Sequence, residues 1–383
     1  MPGWLVAFLF VSISLPAVAQ EAVITEETKP LTGYKSGFFI QSPDENFFFK
    51  LNGRFQFRHR YESIKGIPDI NTFEIRRSRI NTMARLFKNF EVIAFLNHTT
   101  NAAGTTNTPG WFAWATYKPI KEFAVQFGMM NLPMDRSGEA SSGSLGFTEG
   151  SIVETQSDGL KEQSIKRQSL ALPWTLGVRL LGDVGRFHYI VGVGNGEDRN
   201  TFNLTKEPAF SGRFAVDILG DPGYSQIDFE YSETPKLQIG VGTGYEGQDA
   251  NDTNINKVLL DRSWTGSADV AFKWRGFTFI NEWYWRKLKV KTGNFSLDDV
   301  GYYAHAGYFV LPKKLELVAR AAQIFREGPD NNAYEFGGGV NWYIHGNNVK
   351  LQTDFTRLLD FDATEGQGNR AFNRVRTMLT LNL

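Results

Sequence analysis

Ten basic side chains recur on one phase of alternating segments: Lys50, Arg54, Arg58, Arg77, Arg79, Arg85, Arg213, Arg320, Arg374 and Arg376. A guanidinium stays charged at any physiological pH and grips oxyanions through a planar fork. Spaced along a narrow wet passage, such groups attract anions, pass them from site to site and repel cations. Acidic residues occur in similar segments: Glu74, Glu91, Asp217, Asp269, Glu282, Glu316 and Asp354. They open the opposite outcome, in which each Arg is paired and the wall is only stiffened. The chain carries 41 Lys plus Arg and 41 Asp plus Glu. No global field therefore favours nucleic acid, and any anion preference depends on where the side chains point.

Other chemistry is thin. Of the five His, His98 sits at a strand end in "NHTT" and has no Ser/Asp frame around it. "GVGNG" (Gly192 to Gly196) lacks the Lys-Ser/Thr and the helix of a phosphate-cradling loop. With no Cys, disulfides and thiolate metal sites drop out. No ligand spacing marks a metal, no cofactor is expected, and the reading is not an enzyme.

The elements that must hold the basic set are strands. In "FFFKLNGRFQFR", Phe49, Leu51, Gly53, Phe55 and Phe57 share one face, and Lys50, Asn52, Arg54, Gln56 and Arg58 share the other. In "RVRTMLTLNL" (Arg374 to Leu383), Val375, Thr377, Leu379, Leu381 and Leu383 again oppose Arg374, Arg376, Met378, Thr380 and Asn382. The segment Thr72 to Leu86 changes parity midway, and a bulge near Arg76-Arg77 reconciles its halves. Further strands are expected at about 90–98, 110–118, 121–130, 174–182, 186–195, 209–218, 237–245, 263–275, 277–287, 300–310, 315–325, 334–344, 348–358 and 372–383.

A strand apolar on one face and cationic on the other suits a wall with lipid outside and water inside. No later stretch is long and apolar enough for a membrane helix, so a spanning chain must close as a barrel. Short turns alternate with long polar segments, as in outer-membrane barrels. "YSQIDFEYS" (Tyr224 to Ser232) could be one more strand. Treating 219–236 as one long connection at the short-turn side keeps the strand number even, at sixteen. Aromatics near strand ends fit interfacial girdles: Phe47–Phe49, Trp111, Trp114, Tyr117, Trp264, Trp274, Trp283, Trp285, Tyr302, Tyr303, Tyr308, Trp342 and Tyr343. Residues 1–19 read as a signal peptide, with an apolar core at Trp4 to Pro16 and Ala17-Val18-Ala19 as cleavage site. Residues 20–46 read as a periplasmic lead-in, and 47–383 as the barrel. The long segment 131–173, with Arg136, Lys161, Lys166 and Arg167, is the expected constriction loop.

"NGRFQFR", "FEIRRSRI", "FGMMNLPM", "VGVGNGED" and "GYYAHAGYFVLPKKLELVAR" occur in this order. Together they resemble the phosphate-selective porin O and P family across about 40–383. The resemblance implies a sixteen-stranded, usually trimeric porin of the Gram-negative outer membrane. It also implies a third extracellular loop folded into the lumen and phosphate or other anions held on inward basic groups. Two departures stand out: Gly150 in "FTEG" where the family often has Arg, and Leu383 where barrels often end on an aromatic.

The leading expectation is a homotrimeric channel in contact with outer-membrane lipid, for passive diffusion of small hydrophilic solutes, anions such as phosphate favoured. The alternatives are a general or sugar-type diffusion porin, with Tyr284 and Trp285 guiding neutral solutes, and a structural or adhesive barrel plugged by 131–173.

Overall fold

The computed structural model describes residues 31–64, 68–99, 110–154, 170–172, 174–196, 207–247, 260–290, 295–327, 332–361 and 370–383. Two short strands, β1 (Thr32–Tyr34) and β2 (Phe38–Gln41), come first. Sixteen longer ones follow: β3 (Phe47–Ile64), β4 (Ile70–Leu86), β5 (Phe90–Thr99), β6 (Gly110–Ile120), β7 (Phe123–Asn131), β8 (Trp174–Val184), β9 (Phe187–Gly194), β10 (Ala209–Gly220), β11 (Lys236–Gly247), β12 (Leu260–Trp274), β13 (Phe277–Val290), β14 (Ser296–Leu311), β15 (Leu315–Arg326), β16 (Ala333–His345), β17 (Val349–Phe361) and β18 (Arg370–Asn382). The sole described helix is one turn, α1 (Arg136–Glu139).

Each of the sixteen pairs antiparallel with its chain neighbour, and β18 pairs with β3 from Phe372↔Ile64 to Asn382↔Arg54. The sheet is thus a closed ring, which leaves no unpaired edge for lipid to meet. Closure has a physical cause in the alternation. On β13, Ile280, Glu282, Tyr284, Arg286 and Leu288 are buried, while Trp283 and Trp285 are exposed. On β15, Glu316, Val318, Arg320, Ala322 and Ile324 are buried, while Leu317 and Phe325 are exposed. The charged groups point in, among smaller apolar side chains that meet the infolded loop, and large aromatic and aliphatic ones point out.

The expected strand positions and the count of sixteen hold. Residues 221–235 contain no strand and join β10 to β11 at the short-turn end, as expected. The lead-in reading did not anticipate β1 and β2. Strand β2 pairs with β3 at Phe38↔Leu51 to Gln41↔Phe48, just past the place where Leu383 bonds Gly53. This small hairpin therefore prolongs the wall along the line of β18.

Part of the girdle assignment needs correcting. Trp111, Trp264, Trp274, Trp283, Trp285, Tyr308 and Trp342 are exposed on the outer face. Tyr303 and Tyr343 are buried on the inner phase, where their hydroxyls donate to Glu282 (2.8 Å) and Glu316 (2.6 Å). Trp114 is also on the inner phase, edge-on to Phe95. Trp285 points outward, so it cannot line the interior beside Tyr284. Alternation gives the phase of a segment, but only an unbroken register count tells which phase faces lipid.

Candidate functional site: the inward-facing charged wall

All ten basic residues named from the sequence lie on the inward phase of β3, β4, β10, β15 and β18. The bulge on β4 is real: Gln56 faces Arg77 and Phe57 faces Ile75, which leaves Arg76 as the extra residue. Two neighbouring residues can then both turn inward. Arg76 and Arg77 do so, and both reach the carboxylate of Glu149. Arg58 reaches it as well, at 2.9 Å. Arg320 donates to the Glu149 carbonyl at 2.7 Å. A single carboxylate thus gathers three guanidinium groups from β3 and β4.

Four of the remaining eight basic residues are compensated too. Arg213 pairs with Asp269 (2.7 Å), Arg374 with Glu62 (2.6 Å) and Arg376 with Asp354 (2.8 Å). Arg58 also binds Glu74, and Arg320 binds Glu335. These pairs are buried. The uncompensated ladder is therefore shorter than the ten residues. The pairing alternative describes Arg58, Arg77, Arg213, Arg320, Arg374 and Arg376.

The interior is filled from two directions. From the long-loop end, residues 132–154 lie against inward side chains of distant strands. Ser267 donates to the Met134 carbonyl (2.7 Å), Lys350 to Gly143 (2.9 Å) and Asn341 to Gly146 (2.8 Å). The amides of Thr148 and Ile152 donate to Asp354 and Glu335, both at 2.8 Å. Leu132, Met134, Ile152 and Val153 pack with Ile280, Tyr303, Ile324 and Leu358 in one apolar cluster. Burial pushes the Asp135 and Glu154 carboxyls above their usual range, and it lowers Arg136. Hydrogen bonds from Ser137 and Tyr284 oppose the shift at Asp135, and the charge of Arg320 opposes it at Glu154.

From the short-turn end, 221–235 rises to meet this segment. The Gln226 amide donates to the Ser144 carbonyl (3.0 Å), its side-chain nitrogen donates to Glu154 (3.1 Å), and its side-chain oxygen accepts from Gly146 (3.2 Å). Arg136 donates to Gln238 (2.8 Å) and to the Gly223 carbonyl, with the Tyr224 ring over its guanidinium. Ile227, Phe229 and Tyr231 pack on Phe309 and Tyr343. Sequence reasoning missed this infolding. The alternation of Ile227, Phe229 and Tyr231 was its trace, an apolar stripe on a connection that joins no neighbour as a strand. Arg136 is placed as an interior residue of the long loop; Lys161, Lys166 and Arg167 lie outside the described residues.

The two insertions cover the inward face of β10–β18 and leave part of β3–β6 accessible. Opposite one another on β3 and β4 stand Arg54 and Arg79, Asn52 and Asn81, Lys50 and Met83, Phe48 and Arg85. Arg54 is held by neutral groups, Asn382 (2.8 Å), Ser142 (2.9 Å) and Ser141 (3.2 Å). Arg79 donates to Asn97 (3.2 Å) and lies over Phe95, while Arg85 lies over Phe48. Among the described residues, Lys50, Arg54, Arg85 and Lys350 form no salt bridge. Inward basic residues that the sequence reading left out include Arg60 (3.5 Å from Glu62), Arg76, Arg179 (3.0 Å from Glu139), Lys273, Arg286 (2.8 Å from Asp299) and Lys350.

The family model described as phosphate-selective porin O and P matches residues 49–383. The chain belongs to this family. Among solved structures, the outer membrane channel DcaP of Acinetobacter baumannii is similar at 11% identity and a TM-score of 0.58, over 90% of this porin and 99% of that chain. In-vitro folded OmpT of Vibrio cholerae, an outer membrane protein in trimer form, is similar at 12% identity and a TM-score of 0.56, over 88% and 99%. Comparison with curated protein sequences gives no match. At such identities these structures support the barrel fold alone. Family membership makes the protein a channel of the Gram-negative outer membrane for passive diffusion.

Proposed function

We propose that this porin favours small hydrophilic anions, phosphate among them, and conducts them along the β3–β6 side of its interior. The observation that carries the reading is the accessible wall itself. Its inward basic groups outside any salt bridge are Lys50, Arg54 and Arg85, with Glu91 facing Arg85. Like charges directly opposite, such as Arg54 and Arg79, cost stability. Their position beside the water path gives that cost a use: a local excess of positive charge that draws anions in. Residues 131–173 act as the constriction loop in this reading, tied to the wall through Glu149. The solute gradient drives the flux, and no catalytic step is involved.

Ion current in a planar bilayer under a salt gradient tests the reading. The expected reversal potential favours chloride, and Arg54→Gln with Arg85→Gln moves it toward neutrality. A double variant with unchanged reversal potential removes these residues from the mechanism. The infolded 221–235 segment favours a second reading, a barrel closed at its short-turn half. That reading expects no current until 221–235 is shortened to a tight turn.

Two further assignments accompany the proposal. The first 19 residues are a signal peptide, so amino-terminal sequencing of the exported chain starts at Gln20. The barrel assembles as a homotrimer, as the trimer form of the Vibrio cholerae protein suggests. Sedimentation in mild detergent reads the stoichiometry.

A further inference from the structure

The outer wall carries one feature that the channel reading leaves unused. Across β10–β12 a groove of ≈ 560 Å³ is lined by Phe210, Phe214, Thr243, Tyr245 and Trp264, with Gly212 on its floor. It exists because of Gly212. Neighbours on the same phase of β10 are Phe210 and Phe214, both more than half exposed, and between them the side chain is missing. A Cβ added at Gly212 would meet Val191 at 3.2 Å. Aromatic walls around a notch on a lipid-facing surface make a slot for one acyl chain.

The register places cations beside and above this slot. Tyr245 faces Trp264, and Trp264 faces Lys287, so the three lie in one row. One row nearer the long-loop end, Arg262 faces Lys289. Successive rows on one face are about 7 Å apart, well within reach of a headgroup whose chain lies in the groove. Trp264 and Lys287 are about half exposed, and Lys289 is exposed on the outward phase. Lys287 is 3.8 Å from Asp298. An exposed pair of this kind contributes little, so a phosphate can take over the ammonium.

We propose that the outward face of β10–β13 binds one lipid of the outer leaflet with a phosphorylated headgroup: an acyl chain fills the groove over Gly212 and Thr243, and the phosphate sits on Lys287 and Lys289. Apolar slot and basic rim are continuous along one strand direction, which is the order of chain and headgroup in a leaflet. A neutral lipid would use the slot and ignore the rim. A free anion would use the rim and ignore the slot.

The test is native mass spectrometry of the folded porin in mild detergent, titrated with lipid A, a bisphosphorylated acylated disaccharide. One lipid A per chain is expected. Lys287→Gln with Lys289→Gln weakens binding about thirtyfold, at about 1 kcal/mol per basic residue. Thr243→Trp fills the slot and abolishes binding, and heat-modified gel mobility verifies that each variant is folded. Equal binding of phosphatidylcholine, unchanged affinity in the Lys variants, or displacement by inorganic phosphate would each overturn the proposal. So would a change of oligomeric state in Thr243→Trp, because the groove would then be a contact between copies.

Discussion

Arg54 and Arg213 both point into the barrel, and their surroundings give them opposite duties. Arg213 is buried and bound twice to Asp269. Removing one partner of a buried ion pair leaves a charge without compensation and costs about 3–5 kcal/mol. Arg54 has only hydroxyl and amide partners and remains partly accessible. Arg213→Gln is therefore expected to lower the denaturant midpoint of the folded barrel strongly, with little change in selectivity. Arg54→Gln is expected to do the reverse. Equal destabilisation by the two would show that Arg54 is also structural. The inward phase of both was legible in the sequence, because alternation in "GRFQFR" and "SGRFAV" depends only on nearest neighbours. Their partners were not. Asp269 lies 56 residues from Arg213, and Glu149 lies 91 residues from Arg58. Such pairs exist only after the strands have taken their register.

At the scale of elements, the bulge on β4 is the feature on which the interior depends most directly. Without Arg76 the ladder would run regularly through Phe57↔Ile75 and Gln56↔Arg77, so every residue from Arg77 onward would keep its partner and its face. What the bulge adds is a second inward group at one level of the wall, so that Arg76 and Arg77 both reach Glu149. Deleting Arg76 is expected to give a barrel that still refolds into vesicles, read by heat-modified gel mobility, with a regular β4 and Glu149 held by Arg58 and Arg77 alone. Arg76→Ala keeps the residue count and is expected to refold, with the Glu149 anchor loosened. Loss of refolding in the deletion but not in the substitution would show that the barrel needs the local bend of the bulge itself and not only the Arg76 side chain. The parity change between Phe73-Ile75 and Ser78-Ile80 made this bulge readable beforehand. The two infolded segments were readable only in part. Length marked 131–173 as functional, whereas 219–236 was recognised as a connection and not as an insertion. Its burying residues, Ile227 and Phe229, read equally well as the start of a strand.

Over the whole molecule the charges sum to zero, 41 against 41, yet their distribution is uneven. On β10–β18 the inward Arg213, Arg286, Arg320 and Arg376 sit in close pairs with Asp269, Asp299, Glu335 and Asp354. Close pairs present little field to a solute several ångströms away. On β3 and β4 the short-turn half keeps Lys50, Arg54 and Arg85 outside any salt bridge, with Glu91 of β5 facing Arg85. Selectivity from this excess acts across water, and salt screens it. The Debye length is about 10 Å at 0.1 M and about 3 Å at 1 M, so the field of the wall reaches farther into the passage in the first case than in the second. Anion preference, measured as the permeability ratio at a fixed tenfold salt gradient, is therefore expected to fall as mean salt rises from about 0.1 M to about 1 M. A tight oxyanion site would behave differently, with preference kept at high salt and current saturating with phosphate. Persistence of selectivity at high salt would move the mechanism from the accessible β3–β4 wall to a closed site under the loop, where Lys350 donates to Gly143 and forms no salt bridge.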